Sequence, residues 1–179
     1  MITIVVPSRE LFNDNTQEFI NTKEQVLQLE HSLVSLSKWE ARWNKPFLSK
    51  TEKTREETID YIRCMTITQN VNPIVYSCLS DDNIQTINNY IQAPMTATTF
   101  SNQNNSTSRE IITSELIYYW MVSLNIPMEC QKWHLNRLLT LVRVCNIKNS
   151  PPKKMSRNEI MARNASLNAA RRKKLNSKG

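Results

Sequence analysis

Only one of the 179 residues is glycine, and it is the last, Gly179. Glycine is the residue that adopts positive φ without steric cost, so two-residue hairpins built on Asn-Gly or Gly-X turns are excluded. Gly-rich phosphate loops are excluded as well, because neither GxGxxG nor the P-loop pattern can be written with one glycine. An all-β fold and a nucleotide-binding α/β fold are therefore set aside. What remains is a mainly helical chain.

The clearest helical signature lies in 109–148. Its first half is crowded with Ile111, Ile112, Leu116, Ile117, Tyr119, Trp120, Met121 and Val122. These fall on every side of a helical wheel, which predicts a helix covered on most sides. The second half carries Leu135, Leu138, Leu139, Val142 and Cys145, the one-sided stripe of an amphipathic helix. Asn125-Ile126-Pro127 breaks the two, and Pro127 suits the first turn of the second helix. So short a connection predicts an antiparallel helical hairpin that supplies most of the core.

Upstream, Ile2-Thr3-Ile4-Val5-Val6 is β-branched and reads as a strand closed by Pro7. A polar turn region spans 8–15 around Asn13-Asp14-Asn15, and 18–29 then reads as a second strand followed by a helix, with a helix as the competing reading because Val26, Leu29, Leu33 and Leu36 are helically spaced. Ser37-Lys38-Trp39-Glu40 has capping-box form, and that helix ends before Pro46. A further helix starts near Thr54 and buries Ile59 and Ile62, with Met65 or Tyr61. A short turn or helix follows Pro73. Ser80 caps another helix, with Asp81 and Asp82 at its positive end and Ile84, Ile87 and Ile91 inward, stopping before Pro94. Segment 93–108 has no charge and no periodicity and reads as a long mobile loop. The chain thus divides into an N-terminal strand pair (1–30), a helical body (31–148) and a basic, partly helical or flexible tail (149–179). The fold class is α+β, mainly α, with a small N-terminal β element.

Charge is unevenly placed. Segment 153–178 holds nine basic residues and one acid, a net +8, while the rest of the chain stands at −1 and the whole at +7. A neutral body with a cationic tail marks an interaction arm rather than a basic globule. Arg171, Arg172, Lys173 and Lys174 are its densest part. No aromatic residue is interleaved with them for base stacking, so a docking arm for an acidic or helical protein is favoured over nucleic acid.

Little points to catalysis. Cys64, Cys78, Cys130 and Cys145 are far apart with no CxxC, which reads as buried thiols in a reducing compartment. Cys130 and His134 are four apart on one helix face, but a zinc site needs two more ligands, and Cys145 lies too far along the helix. His31 reads as a structural polar contact. No cofactor, metal or enzyme activity is expected. The first seven residues lack the basic start of a secretory signal, and no apolar run reaches a membrane span. Trp39 and Trp43, four apart, either cap the core or, with Phe47, anchor a protein contact.

The segments Leu29-Glu30-His31-Ser32-Leu33, Ser37-Lys38-Trp39-Glu40 and Lys45-Pro46-Phe47-Leu48, then Tyr119-Trp120-Met121 and Cys130-Gln131-Lys132-Trp133-His134-Leu135-Asn136-Arg137-Leu138, resemble the tail assembly chaperones of long-tailed bacteriophages. Arg163-Asn164-Ala165-Ser166-Leu167-Asn168-Ala169-Ala170-Arg171-Arg172 is similar to the endings of such proteins. The resemblance implies a non-enzymatic factor of the host cytoplasm that coats the tape-measure protein before the tail tube forms and leaves the finished particle. It implies the tape-measure protein as partner, a longer frameshifted form of the same chain as a second one, and room for self-association. A structural virion protein of the tail or neck, and a small nucleic-acid-binding protein acting through the tail, remain the alternatives.

Overall fold

A computed structural model describes residues 1–13, 18–100, 111–150 and 156–176. They fall into two units, Met1–Ile147 and Lys148–Gly179. The strands are β1 (Ile2–Val6), β2 (Glu10–Asn13), β3 (Glu18–Asn21) and β4 (Gln25–Leu29). β1 and β4 form an antiparallel ladder running from Ile2 opposite Leu29 to Val6 opposite Gln25. Strand side chains alternate between faces, so Ile4, Val6, Leu27 and Leu29 are buried while Val5 and Val26 stay half exposed. The expected second strand is two strands, and the expected polar turn contains β2. Thr22 explains the division. Its amide donates to the Arg9 carbonyl at 2.8 Å and its hydroxyl accepts from the Arg9 amide at 2.9 Å, closing the β2–β3 pair. The outer edge of β4 is also occupied, by the amide of Ile67 on the Gln28 carbonyl at 2.8 Å.

Six α-helices follow: α1 (Leu33–Trp43), α2 (Arg55–Met65), α3 (Asp81–Gln92), α4 (Ser114–Ser123), α5 (Leu135–Asn149) and α6 (Arg157–Leu175). Short 3-10 helices occupy Pro73–Cys78 and Met128–Lys132. The caps of α2 at Thr54 and of α3 at Ser80 stand where the sequence predicts them. α1 differs. It starts at Leu33, capped by Ser32 and Ser35, because Leu33 and Leu36 are wholly buried and carry the helix past the box at Ser37. Without glycine, asparagine supplies the left-handed positions: Asn44, Asn70, Asn125 and Asn176 are four of the five residues with positive φ among those described.

The expected helical hairpin is corrected in two respects. α4 and α5 are not joined by a tight break, for the Met128–Lys132 helix lies between them and Pro127 caps it instead of opening α5. Nor do they supply most of the core. The larger hydrophobic cluster lies under the β1–β4 sheet, against α2, α3 and Trp39. The smaller joins Leu33 and Leu36 of α1 to Ile117 and Met121 of α4 and to Leu135, Leu138 and Val142 of α5. Phe47 touches both clusters.

Two buried carboxylates brace the body. Glu40 of α1 accepts from the Phe47 amide at 2.8 Å and, through its other oxygen, from the Ser114 amide at 2.7 Å at the start of α4. A carboxylate there also faces the positive end of α4. Glu40→Gln turns one of those acceptors into an NH₂ group facing an N–H. It is expected to cost about 2–3 kcal/mol, read as a lowered urea midpoint with unchanged slope; an unaltered midpoint contradicts the bracing role. Glu57 accepts from Lys45 Nζ at 2.5 Å and from the Thr54 amide at 2.9 Å. The Lys45 bond, then the Thr54 amide, hold its carboxyl below the ordinary range.

α6 stands in the second unit. A Ser156–Glu159 capping box opens it, Asn176 closes it, and none of its 19 residues is buried. It is the helical part of the basic tail, Arg157–Leu175. The second half of the expected loop, 101–108, lies outside the described residues.

Candidate functional site

The two histidines, distant in sequence, meet in the body. Their rings stand 5.1 Å apart, edge to face. His31 Nδ1 and the Tyr61 hydroxyl share a 2.5 Å hydrogen bond. The Asn136 amide donates to His134 Nδ1 at 3.3 Å, so the proton is on Nε2, which donates to the Tyr90 carbonyl at 3.1 Å. The His134 ring is therefore a neutral bridge between α3 and the start of α5. Burial, then the neighbouring His134, push the His31 imidazole down to about 3. Burial lowers His134 too, partly offset by its bond to Tyr90. Burial, then a hydrogen bond to Glu30, raise the Tyr90 phenol.

Around this pair the backbone is stitched. The Leu135 amide donates to the His31 carbonyl at 2.7 Å, and Asn136 Nδ2 reaches the carbonyls of Ile91 and Ala93 at 3.0 and 2.8 Å. The arrangement joins α1, α2, α3 and α5. It holds helix ends in place, the work expected of His31. Cys130 and His134 do not share a helix, since the first lies in the Met128–Lys132 turn and the second precedes α5. No group of three or more His, Cys, Asp or Glu side chains placed to hold a metal occurs among the described residues.

The three predicted anchors come together, but as framework. Trp39 is 1% exposed, and its Nε1 donates to the Glu57 carbonyl at 2.9 Å. It has no surface to offer a partner and is corrected to a core residue. Trp43 is half-buried, stacked on Trp39, with Nε1 bound to Asp60 Oδ2 at 2.9 Å. Phe47 stacks on Tyr61 at 3.9 Å and meets Trp39 edge-on, so its ring is spent on joining the two core clusters. A groove of about 380 Å³ beside Trp39 is lined by Lys45, Pro46, Lys53 and Ile111. Its two amines are engaged, Lys45 with Glu57 and Lys53 over the Phe47 ring at 4.5 Å. Arg171, Arg172, Lys173 and Lys174 sit at the C-terminal end of α6, exposed.

The unpredicted surface is the outer face of α4. Only Ser114, Ile117 and Met121 of that helix are buried. Tyr119 is 65% and Val122 67% exposed, one turn apart, with Leu116 and Trp120 half-buried alongside. The expectation of a helix covered on most sides is overturned: α4 buries Ile117 and Met121 in the cluster it shares with α1 and α5 and leaves Tyr119 and Val122 outside. The signal was present in the sequence: a short helix with apolar residues on every side has more faces than so small a body covers.

The fold thus defines a small, mainly helical α+β protein whose buried polar groups are engaged in holding it together, with an apolar helix face turned outward. No protein family matches the chain, and no curated protein or solved structure shows significant similarity to it. No helix among the described residues is long and apolar enough to cross a membrane.

Proposed function

We propose that the protein acts by surface contact, holding another polypeptide on the outer face of α4, and that its client is the tape-measure protein of a phage tail. The observation that carries this reading is the exposed pair Tyr119 and Val122, one turn apart on α4 and flanked by the half-buried Leu116 and Trp120. Exposed apolar surface that includes Tyr and Trp is what an amphipathic helical client docks on. A tape-measure protein is a long helical client of that chemistry, and the family resemblance supplies the choice. The role is non-enzymatic: the chaperone holds the client in the host cytoplasm until the tail tube assembles, then leaves.

Tyr119→Asp with Val122→Asp tests this. Both positions are exposed, so fold stability is expected to stay within about 0.5 kcal/mol per site. Co-purification with the co-expressed tape-measure protein is expected to fall at least roughly tenfold, as for two hot-spot residues. Undiminished capture by the double variant removes α4 as the site. Mass spectrometry of purified virions separates a departing chaperone from a structural tail protein, which stays in the particle.

A further inference from the structure

The second unit carries a surface of different chemistry. α6 holds six basic residues and one acid in 19 residues, every one exposed. One face reads Arg157, Met161, Asn164, Asn168, Arg171 and Leu175, spaced i, i+4, i+7, i+11, i+14 and i+18. The only acid, Glu159, lies on the opposite face with Ala162, Ser166, Ala169 and Lys173. At the centre of that face, between Arg157 and Arg171, stand two amides one turn apart. Asparagine is a poor helix former, and a merely solvated helix is better served there by Glu, Gln or Lys. Neither amide has a hydrogen-bond partner among the described residues.

We propose that α6 binds B-form duplex DNA, lying in the major groove with Asn164, Asn168 and Arg171 toward the base edges and Arg172 and Lys174 on flanking phosphates. The groove is about 12 Å wide and admits an α-helix, and α6 is about 28 Å long at 1.5 Å per residue. Asparagine pairs in bidentate fashion with adenine and arginine with guanine in that groove. Aromatic residues, needed for stacking on single strands, are not needed here. The deep, narrow major groove of duplex RNA does not admit a helix. A bilayer or a partner helix needs a continuous apolar stripe, and the two amides interrupt this one.

The test uses the full chain and fluorescence anisotropy on labelled duplex DNA, first a pool with a random core, then the sequences that pool yields on selection. With three to four phosphates neutralised, affinity for any duplex is expected to fall roughly 40- to 150-fold between 50 and 200 mM salt. N164A/N168A is expected to lose at least roughly tenfold on the selected duplex, down to its level on the random pool, with the salt dependence unchanged. R172A/K174A is expected to weaken binding to all duplexes alike and to flatten the salt dependence. Alanine is the better helix former, so a loss in N164A/N168A does not come from melting α6. Equal affinity for the matching single strand, binding to phosphatidylserine vesicles in place of duplex, no enrichment on selection, or wild-type affinity of N164A/N168A each overturns the proposal. The substituted residues are outside α4, so failure here leaves the Tyr119–Val122 reading intact.

Discussion

Replacing Trp39 by alanine is expected to destabilise the body by about 3–5 kcal/mol. The indole is wholly enclosed, stacked on Trp43 and met edge-on by Phe47, and its N–H satisfies the Glu57 carbonyl. Truncation leaves a cavity at the join of α1 and α2 and strips the donor from a buried carbonyl. Against a typical total of about 5–15 kcal/mol, such a loss removes a large part of the stability. The checks are the urea midpoint and the melting temperature, which is expected to drop by more than about 6 °C for a body of this size. Trp39→Phe restores most of the packing but not the donor and is expected to recover part of the loss. A Trp39→Ala protein that melts like wild type while losing its client returns the residue to an interface.

Acid is expected to unfold the body early, and His31 is the reason. Its folded imidazole titrates near 3, whereas in the unfolded chain it titrates near the ordinary 6.5. Between those values the unfolded state binds the proton and the folded state does not. The stabilisation is therefore present above about pH 6.5 and declines as pH falls toward 3, by about 1.4 kcal/mol per pH unit. His134, also lowered, adds to the slope over part of that range. Protonating His134 at Nδ1 also breaks the bond from the Asn136 amide at the start of α5. Glu57, held below the ordinary carboxyl range, loses its contribution only at lower pH. The onset near 6.5 thus distinguishes histidine from carboxylate. Stability measured in urea at pH 6 and pH 5 gives the slope, and His31→Gln is expected to reduce it by about 1.4 kcal/mol per pH unit whatever its own stability. An unchanged slope excludes His31 as its source.

Much of the architecture was legible in order along the chain, because local chemistry specified it. Thr54 and Ser80 start helices with their own hydroxyls, Pro94 follows the end of α3, and the β-branched run of β1 needs no partner to be recognised. The start of α1 was not legible, since two serine boxes compete and only burial of Leu33 and Leu36 chooses between them. β2 was not legible either. Leu11 and Phe12 stand among polar residues, and the strand exists through a contact between Arg9 and Thr22. Which large aromatics stay exposed was not legible for the same reason. Trp39, Trp43 and Tyr119 are alike as large amphipathic aromatics, and the sequence does not say which of them another helix covers.

By itself the sequence determined a mainly helical fold: one glycine forbids tight hairpins and phosphate loops, and asparagine inherits the left-handed positions. It also determined a neutral body and a cationic tail, since charge is a property of composition. Only the tertiary structure decided which apolar surface is left over. Burial depends on how many neighbours a helix finds in space, and α4 finds too few to cover Tyr119 and Val122. It likewise brought His31 to His134 across more than a hundred residues, where shared burial, not the sequence around either one, fixes their charge state.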